Sequence, residues 1–254
     1  MMKVAYELNP PRIARDGRFD QKRLEKSMDA LRERASLLRR YADGVHLTDS
    51  VLGVPRVSGV AAAAHIRKAA GDLKVSCSLR TSDRNVITLS QAAVDAVMAR
   101  VDSLLLLLGD APADGRASGL KPSQALAILR DLGFDRKVKL DLSFPTKIYD
   151  RWSPAMQAKL AARPRSFVTQ SISSLSDLAD IVDLAKQNNI RVTACIMVPS
   201  EKNAESAKMI GLDWSGYAKE PVEFVRTAGR LAGSVLITSP CSFQAGIDLL
   251  KELS

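Results

Sequence analysis

Residues 103–110 read SLLLLLGD, a run of five leucines from Leu104 to Leu108 that stops at a glycine–aspartate pair. A strand with one wet face alternates apolar and polar residues, but this one is apolar on both faces, as a parallel strand covered on both sides must be. The same two-faced character recurs in Arg191–Val198 (RVTACIMV) and Ser234–Ser239 (SVLITS). Further β-rich runs at Lys3–Leu8, Gly44–Thr48, Lys74–Arg80, Lys137–Phe144 and Ser166–Ser171 bring the strands to eight.

Between the runs the spacing turns helical. Asp20–Tyr41 sets Leu24, Met28, Leu31, Ala35 and Leu38 at steps of three and four. Helices are also predicted at Val57–Ala70, Gln91–Val101, Pro122–Leu132, Pro154–Ala162, Ser174–Asn188, Pro221–Leu231 and Phe243–Leu250. Eight strand–helix units in 254 residues average about 32 residues each, the size of a βαβ step. An open doubly wound sheet would want fewer strands and a glycine-rich first turn, whereas the first strand runs into NPPR with no GxGxxG. The prediction is an α/β protein, a (β/α)8 TIM barrel. With no low-complexity linker, it is read as one domain over residues 1–254.

Composition narrows the function classes. At 46% hydrophobic and 26% charged, the chain is not a disordered one. Lys plus Arg number 37 against 28 Asp plus Glu, a net charge of +9 that suits anionic ligands. Aromatics are only 5% and no basic stretch is interleaved with them, which argues against nucleic acid. Cys77, Cys195 and Cys241 form no CxxC pair and there are two histidines, so neither a metal site nor a disulfide framework is expected. The opening MMKVAYELNPPR has no apolar signal core, and the leucine run is too short to span a bilayer. A soluble, cytoplasmic protein without membrane contact is the expectation.

In a TIM barrel the chemistry sits at the C-terminal ends of the strands. Those ends carry Glu7, Thr48 with Asp49, Thr81 with Asp83, Gly109 with Asp110, Ser143, Gln170, Pro199 and Ser239. Glu7 is either a desolvated carboxyl suited to proton donation or an exposed strand-end group pairing with Arg12. Asp110 is either delivered to the rim by its buried strand or a turn or N-cap aspartate. Arg84 and Asn85 fit a phosphate at a helix start, and Asn85 equally fits a cap. Gln170 alternates with Val168: if the two share the inward face its amide sits at the rim of the barrel mouth, and otherwise it is a structural bridge. His46 and Thr48 share a parity that faces the barrel, His65 is read as structural, and Cys77 and Cys195 as small hydrophobes.

The pieces YELNPPR, GVHLTDS, TSDRN, LLLLLGDAP, FVTQSISSLSDL and ACIMVPSEKNAESAKMIGL stand in one order along the chain. Together, from residue 3 to about residue 212, they resemble the methylenetetrahydrofolate reductase family, whose motifs read E-F-F-P-P-R, R-D-R-N, L-x-L-R-G-D-x-P and I-T-Q-x-x-F-D. The resemblance implies an oxidoreductase of one-carbon metabolism that reduces the methylene group of a reduced folate or related pterin to methyl. It implies Glu7 as the acid and Asp110 as the electrostatic tuner. Gln170, Thr48 and Asp49 would meet the substrate, and Thr81, Asp83, Arg84, Asn85 and Gly109 would meet FAD. NAD(P)H or an electron-donor protein would supply the hydride, and oligomerisation is left open.

The departures fall on the flavin side. Leu108 replaces the arginine of L-R-G-D, about Ser78 replaces a histidine, and LSFPTKIYDRWSP does not match the family's segment after the fifth strand. The alternative is therefore a pterin-binding or partner subunit of a reductase or methyl-transfer complex that lacks its own flavin. A third reading is an unrelated barrel lyase acting on a phosphorylated substrate. Its Schiff-base lysine would have to be Lys139, which Asp141 follows at the same parity.

Overall fold

The structure, a computed structural model, describes residues 2–15, 18–110 and 117–254, with Arg15 described by its backbone alone. Its strands are β1 (Lys3–Leu8), β2 (Ala14–Arg15), β3 (Arg18–Phe19), β4 (Gly44–Leu47), β5 (Lys74–Arg80), β6 (Ser103–Leu107), β7 (Lys139–Phe144), β8 (Ser166–Ser171), β9 (Arg191–Met197) and β10 (Ser234–Thr238). Its helices are α1 (Gln21–Leu38), α2 (Gly59–Ala69), α3 (Val86–Met98), α4 (Pro122–Asp131), α5 (Pro154–Ala161), α6 (Leu175–Gln187), α7 (Glu201–Met209), α8 (Pro221–Ala232) and α9 (Phe243–Leu253).

The strand order β1-β10-β9-β8-β7-β6-β5-β4 closes into an eight-stranded barrel, with β2 and β3 forming a separate two-stranded sheet. Each of these barrel strands lies at a predicted run. By their contacts the residues fall into two compact units.

The first unit comprises Met1–Glu7, Tyr41–Asp43 and Ser143–Ser254. Here β1 pairs parallel with β10 (Lys3↔Ser234 to Tyr6↔Ile237), and β10 pairs parallel with β9. Its core includes Phe144 and Phe167, whose ring centroids lie 4.4 Å apart, and Tyr6, which meets Phe243 edge-on at 5.7 Å. Gly246 on α9 gives Tyr6 its room, since a Cβ there would lie 2.2 Å from the phenol oxygen. Between β8 and β9 the register passes from Val168↔Thr193 to Ser171↔Cys195, so β8 advances three residues while β9 advances two. This is a β-bulge.

The second unit comprises Leu8–Arg40 and Gly44–Leu142. In it β4, β5, β6 and the start of β7 pair parallel in sequence order. Leu47, Val75, Cys77, Leu104 and Leu106 are fully buried, which is why these strands read as unbroken apolar runs.

Capping explains most helix starts. Asp20, Ser58, Ser153, Ser174, Ser200 and Ser242 each accept a hydrogen bond from a first-turn N–H. Two helices depart from the predicted pattern. The helix expected to begin at Gln91 begins at Val86, because Asn85 caps it by accepting from Thr88 N at 3.0 Å. The β-branched run Val86–Ile87–Thr88 masks that start in the sequence. Helix α7 was not predicted by periodicity, because EKNAESAKM buries only Asn203 and Ala207 and so carries no apolar stripe.

Candidate functional site

In the first unit, the register Tyr6↔Ile237 sets Glu7 beside Thr238 at the C-terminal ends of β1 and β10. Glu7 is half-buried, and its Oε1 accepts a 2.7 Å hydrogen bond from Thr238 Oγ1. Burial raises the carboxyl pKa above the ordinary value, and the Thr238 bond offsets part of that rise. Among the described residues, Glu7 makes no ion pair with Arg12. On β9, Cys195 is buried. Its thiol is pushed up to about 12, first by burial and then by the Glu7 charge, with the Ser171 hydroxyl 3.7 Å away lowering it slightly. It is a packed thiol, as expected, and not a nucleophile.

Gln170 is not where alternation places it. The bulge breaks the pleat: Thr169 is buried, Val168 half-buried and Gln170 exposed. Thr169 Oγ1 accepts from Cys195 N at 3.0 Å, taking the place of a ladder carbonyl. Val168 and Gln170 therefore do not share one inward face.

One organising residue of this unit carries no sequence signal. Asn203 is wholly buried, and its Nδ2 donates to Val198 O (2.9 Å) and to Ser239 Oγ (2.8 Å) while its Oδ1 accepts from Cys241 N (3.0 Å). It clips the loops after β9 and β10 together. An asparagine two residues inside a helix start, four past the strand-end proline Pro199, reads simply as polar helix surface.

In the second unit, Arg80 at the end of β5 gathers the predicted residues. It is 1% exposed. Its guanidinium donates to Ser50 O (2.6 Å), Asp110 O (2.6 Å) and Asp83 Oδ1 (3.1 Å), and lies 3.7 Å from Asp110 Oδ2. Asp49 Oδ2 accepts from Arg80 N (3.0 Å) and from Arg84 Nη1 (2.6 Å). Gly109 has φ +82°, and a Cβ there would meet Arg80 Nε at 2.7 Å and Cγ at 2.8 Å, so only glycine lets the arginine lie against this turn. The Arg80 role was not predicted, because an arginine ending an apolar strand reads as the strand's solvent end. The glycine that makes room for it was the available signal.

Asp110 stands three residues past the end of β6. Its carboxylate, 54% exposed, accepts from Leu52 N at 2.6 Å. Leu52 and Ser50 both sit in the left-handed region, at φ 59° and 42°. Such conformations cost about 1 kcal/mol or more each, and the bonds from Arg80 to Ser50 O and from Leu52 to Asp110 offset that cost. Ala111 and Pro112 of the same motif lie outside the described residues. Thr48 Oγ1 donates to Asn9 Oδ1 at 2.7 Å. His46, buried, is held between Ser76 Oγ and Ser78 Oγ, each 2.8 Å from a ring nitrogen, and burial lowers its pKa to about 4.

These contacts test the expected flavin site. Arg84 is spent on Asp49, Asp83 on Arg80, and Asn85 on its helix. Thr81 Oγ1 lacks a hydrogen-bond partner among the described residues, but Thr81 is 0% exposed and closed to a ligand. Among the described residues, Arg80 and Arg84 stand against Asp49, Asp83 and Asp110, an excess of one negative charge. A diphosphate meets repulsion there. Residues 81–85 and 109 do not fit the diphosphate of FAD. Lys139, the candidate Schiff-base lysine, is exposed at the start of β7.

No family model matches the chain, and no curated protein does. Solved structures do. A long-chain alkane monooxygenase aligns at TM-score 0.62 and 9% identity over 98% of this chain and 89% of its own. An aldolase aligns at TM-score 0.58 and 12% identity over 98% and 92%. The orotidine 5'-monophosphate decarboxylase of Methanocaldococcus jannaschii, complexed with the inhibitor BMP, aligns at 0.57 and 9% over 99% and 97%. The chain thus has the TIM-barrel fold that these enzymes share. Among the described residues, no helix is long and apolar enough to cross a membrane, and no cluster of metal-ligating side chains occurs.

Proposed function

We propose that the chain is an enzyme of the methylenetetrahydrofolate reductase type, reducing the methylene bridge of a reduced folate or related pterin to a methyl group. The observation that carries this reading is Glu7: a strand-end carboxyl whose pKa is raised by burial and whose oxygen accepts a hydrogen bond from Thr238. A group with that combination suits general acid catalysis. Its proton goes to a nitrogen of the methylene bridge, and the C–N bond breaks with its electrons passing to that nitrogen. A hydride from NAD(P)H or a donor protein then completes the methyl group. The exposed amide of Gln170 donates and accepts, which suits a pterin edge. Asp110, Thr48 and Asp49 are proposed to act by shaping the loops they brace.

A second reading is favoured by the Arg80 network, whose internal pairing leaves residues 81–85 no free cation for a flavin. In that reading the chain is a pterin-binding subunit whose electrons come from a partner. Incubating the purified chain with the methylene form of tetrahydrofolate and NAD(P)H tests both. Methyl product formed by the chain alone supports the enzyme, binding without turnover supports the subunit, and absence of pterin binding overturns both.

A further inference from the structure

The segment after β1 and the loop after β4 touch through one antiparallel bridge, Arg12↔Arg56. The backbone bonds that define it are Ile13 N to Pro55 O (3.1 Å) and Val57 N to Pro11 O (2.9 Å). Bonds from the flanking residues make Arg12 and Arg56 a non-hydrogen-bonded pair, the class in which Cα atoms approach to about 4.5 Å and both side chains leave on the same face. The fold therefore holds two guanidinium groups side by side. Like charges directly opposite each other destabilise a strand pair. Among the described residues, no carboxylate forms an ion pair with either. Pro10, Pro11 and Pro55 stiffen the backbone on both sides of the bridge.

Arg56 is partly fixed. Its Nη1 donates to Pro10 O at 2.8 Å, while its Nε is buried without a hydrogen-bond partner. Arg12 is exposed. One guanidinium is thus anchored, and a second, exposed one stands beside it. The repulsion between them is visible in Arg56, whose pKa is lowered by burial and then by the Arg12 charge.

We propose that Arg12 and Arg56 form a binding site for an oxyanion, the phosphate or carboxylate group of a ligand, gripped by two planar forks of donors. Guanidinium forks match both groups in geometry, and an anion there relieves the repulsion. The site does not rest on the Glu7 reading, since it concerns binding alone.

The test is a calorimetric titration of the full chain with inorganic phosphate and, separately, with glutarate, at constant ionic strength set with chloride. Saturable binding is expected, weakened about ten-fold or more in Arg12→Gln and in Arg56→Gln. Stronger binding of phosphate identifies a phosphorylated ligand, and stronger binding of glutarate a carboxylate one. Arg12→Gln, at an exposed position, should melt like the parent in anion-free buffer, which separates lost binding from lost folding. Absence of saturable binding of either anion up to about 10 mM, or undiminished binding in Arg12→Gln, overturns the proposal.

Discussion

Thr238 Oγ1 reaches Glu7 Oε1 at 2.7 Å from the neighbouring strand, one residue past the last register pair of β1 and β10. The pair sets burial against hydrogen bonding at a single carboxyl: the first raises its pKa, and the second lowers it.

Replacing the acid tests the chemistry directly. Glu7→Gln should lower methylene reduction by about a hundred- to ten-thousand-fold while changing pterin affinity only a few-fold. Stability should respond as well. A carboxyl raised in the fold contributes stability that is fully present below the ordinary value of 4.5 and is lost as pH rises through its folded value. Melting curves of the wild type should show that loss above pH 4.5, and those of the Gln variant should not. Unchanged turnover in the variant would remove Glu7 from the reaction.

The Thr238 hydroxyl can be tested separately from the carboxyl. Thr238→Val removes the donor that favours the charged form, so the alkaline limb of the pH–rate profile, where the acid loses its proton, should move upward. Thr238→Ser keeps the donor and should restore the wild-type profile. Carboxyl-stretch infrared titration of Glu7 in the free protein should shift in the same direction. Identical profiles in Val and Ser variants would leave Thr238 a packing residue.

Gln170 gives the sharpest separation of binding from folding, because it is exposed. Gln170→Ala should leave the melting temperature within about a degree and weaken reduced-folate binding about ten-fold or more. An unchanged binding isotherm would withdraw the pterin contact.

The Arg84–Asp49 pair predicts that the expected flavin ligand is structural. Arg84→Met should destabilise the protein by about 3 kcal/mol, by leaving the Asp49 charge buried and less fully compensated. It should not change FAD affinity, as read by fluorescence quenching of added flavin. A loss of flavin binding with unaltered melting would reverse the assignment.

His46 sets the acid limit of the second unit. Its imidazole is held neutral in the fold, with a pKa near 4 against the ordinary 6.5. The associated stability is complete above pH 6.5 and is lost as pH falls from there toward 4, by on the order of 2–3 kcal/mol. Denaturant midpoints of His46→Gln measured over that range should be flatter than those of the wild type.

Much of the fold was legible because the closing strands are apolar on both faces, and five leucines or TACIMV admit few other readings. What escaped was local and polar. The β2–β3 hairpin has two residues per strand, too few for any pattern. Before Gln91 the exposed Val86 and Ile87 precede the buried Leu89, so the first turn of α3 hides the period that Leu89, Ala93 and Ala96 carry. At the site, Glu7 was legible as a strand-end carboxyl. Gln170 was not, since one inserted residue changes faces without altering the letters around it. Arg80 and Asn203 were invisible for a common reason: a buried polar side chain is recognised by what it touches, and its partners Ser50, Asp110, Val198 and Ser239 lie 30 to 36 positions away or across a turn.

The bulge in β8 also divides tolerance from constraint between adjacent codons. At position 169 the ladder needs a short side chain with an oxygen to receive Cys195 N, so random replacement there should be purged except for serine, asparagine or aspartate. At position 170 the side chain projects into solvent and the fold imposes no choice. The chain can therefore exchange the group it presents at 170 by single substitutions, without passing through a misfolded ancestor.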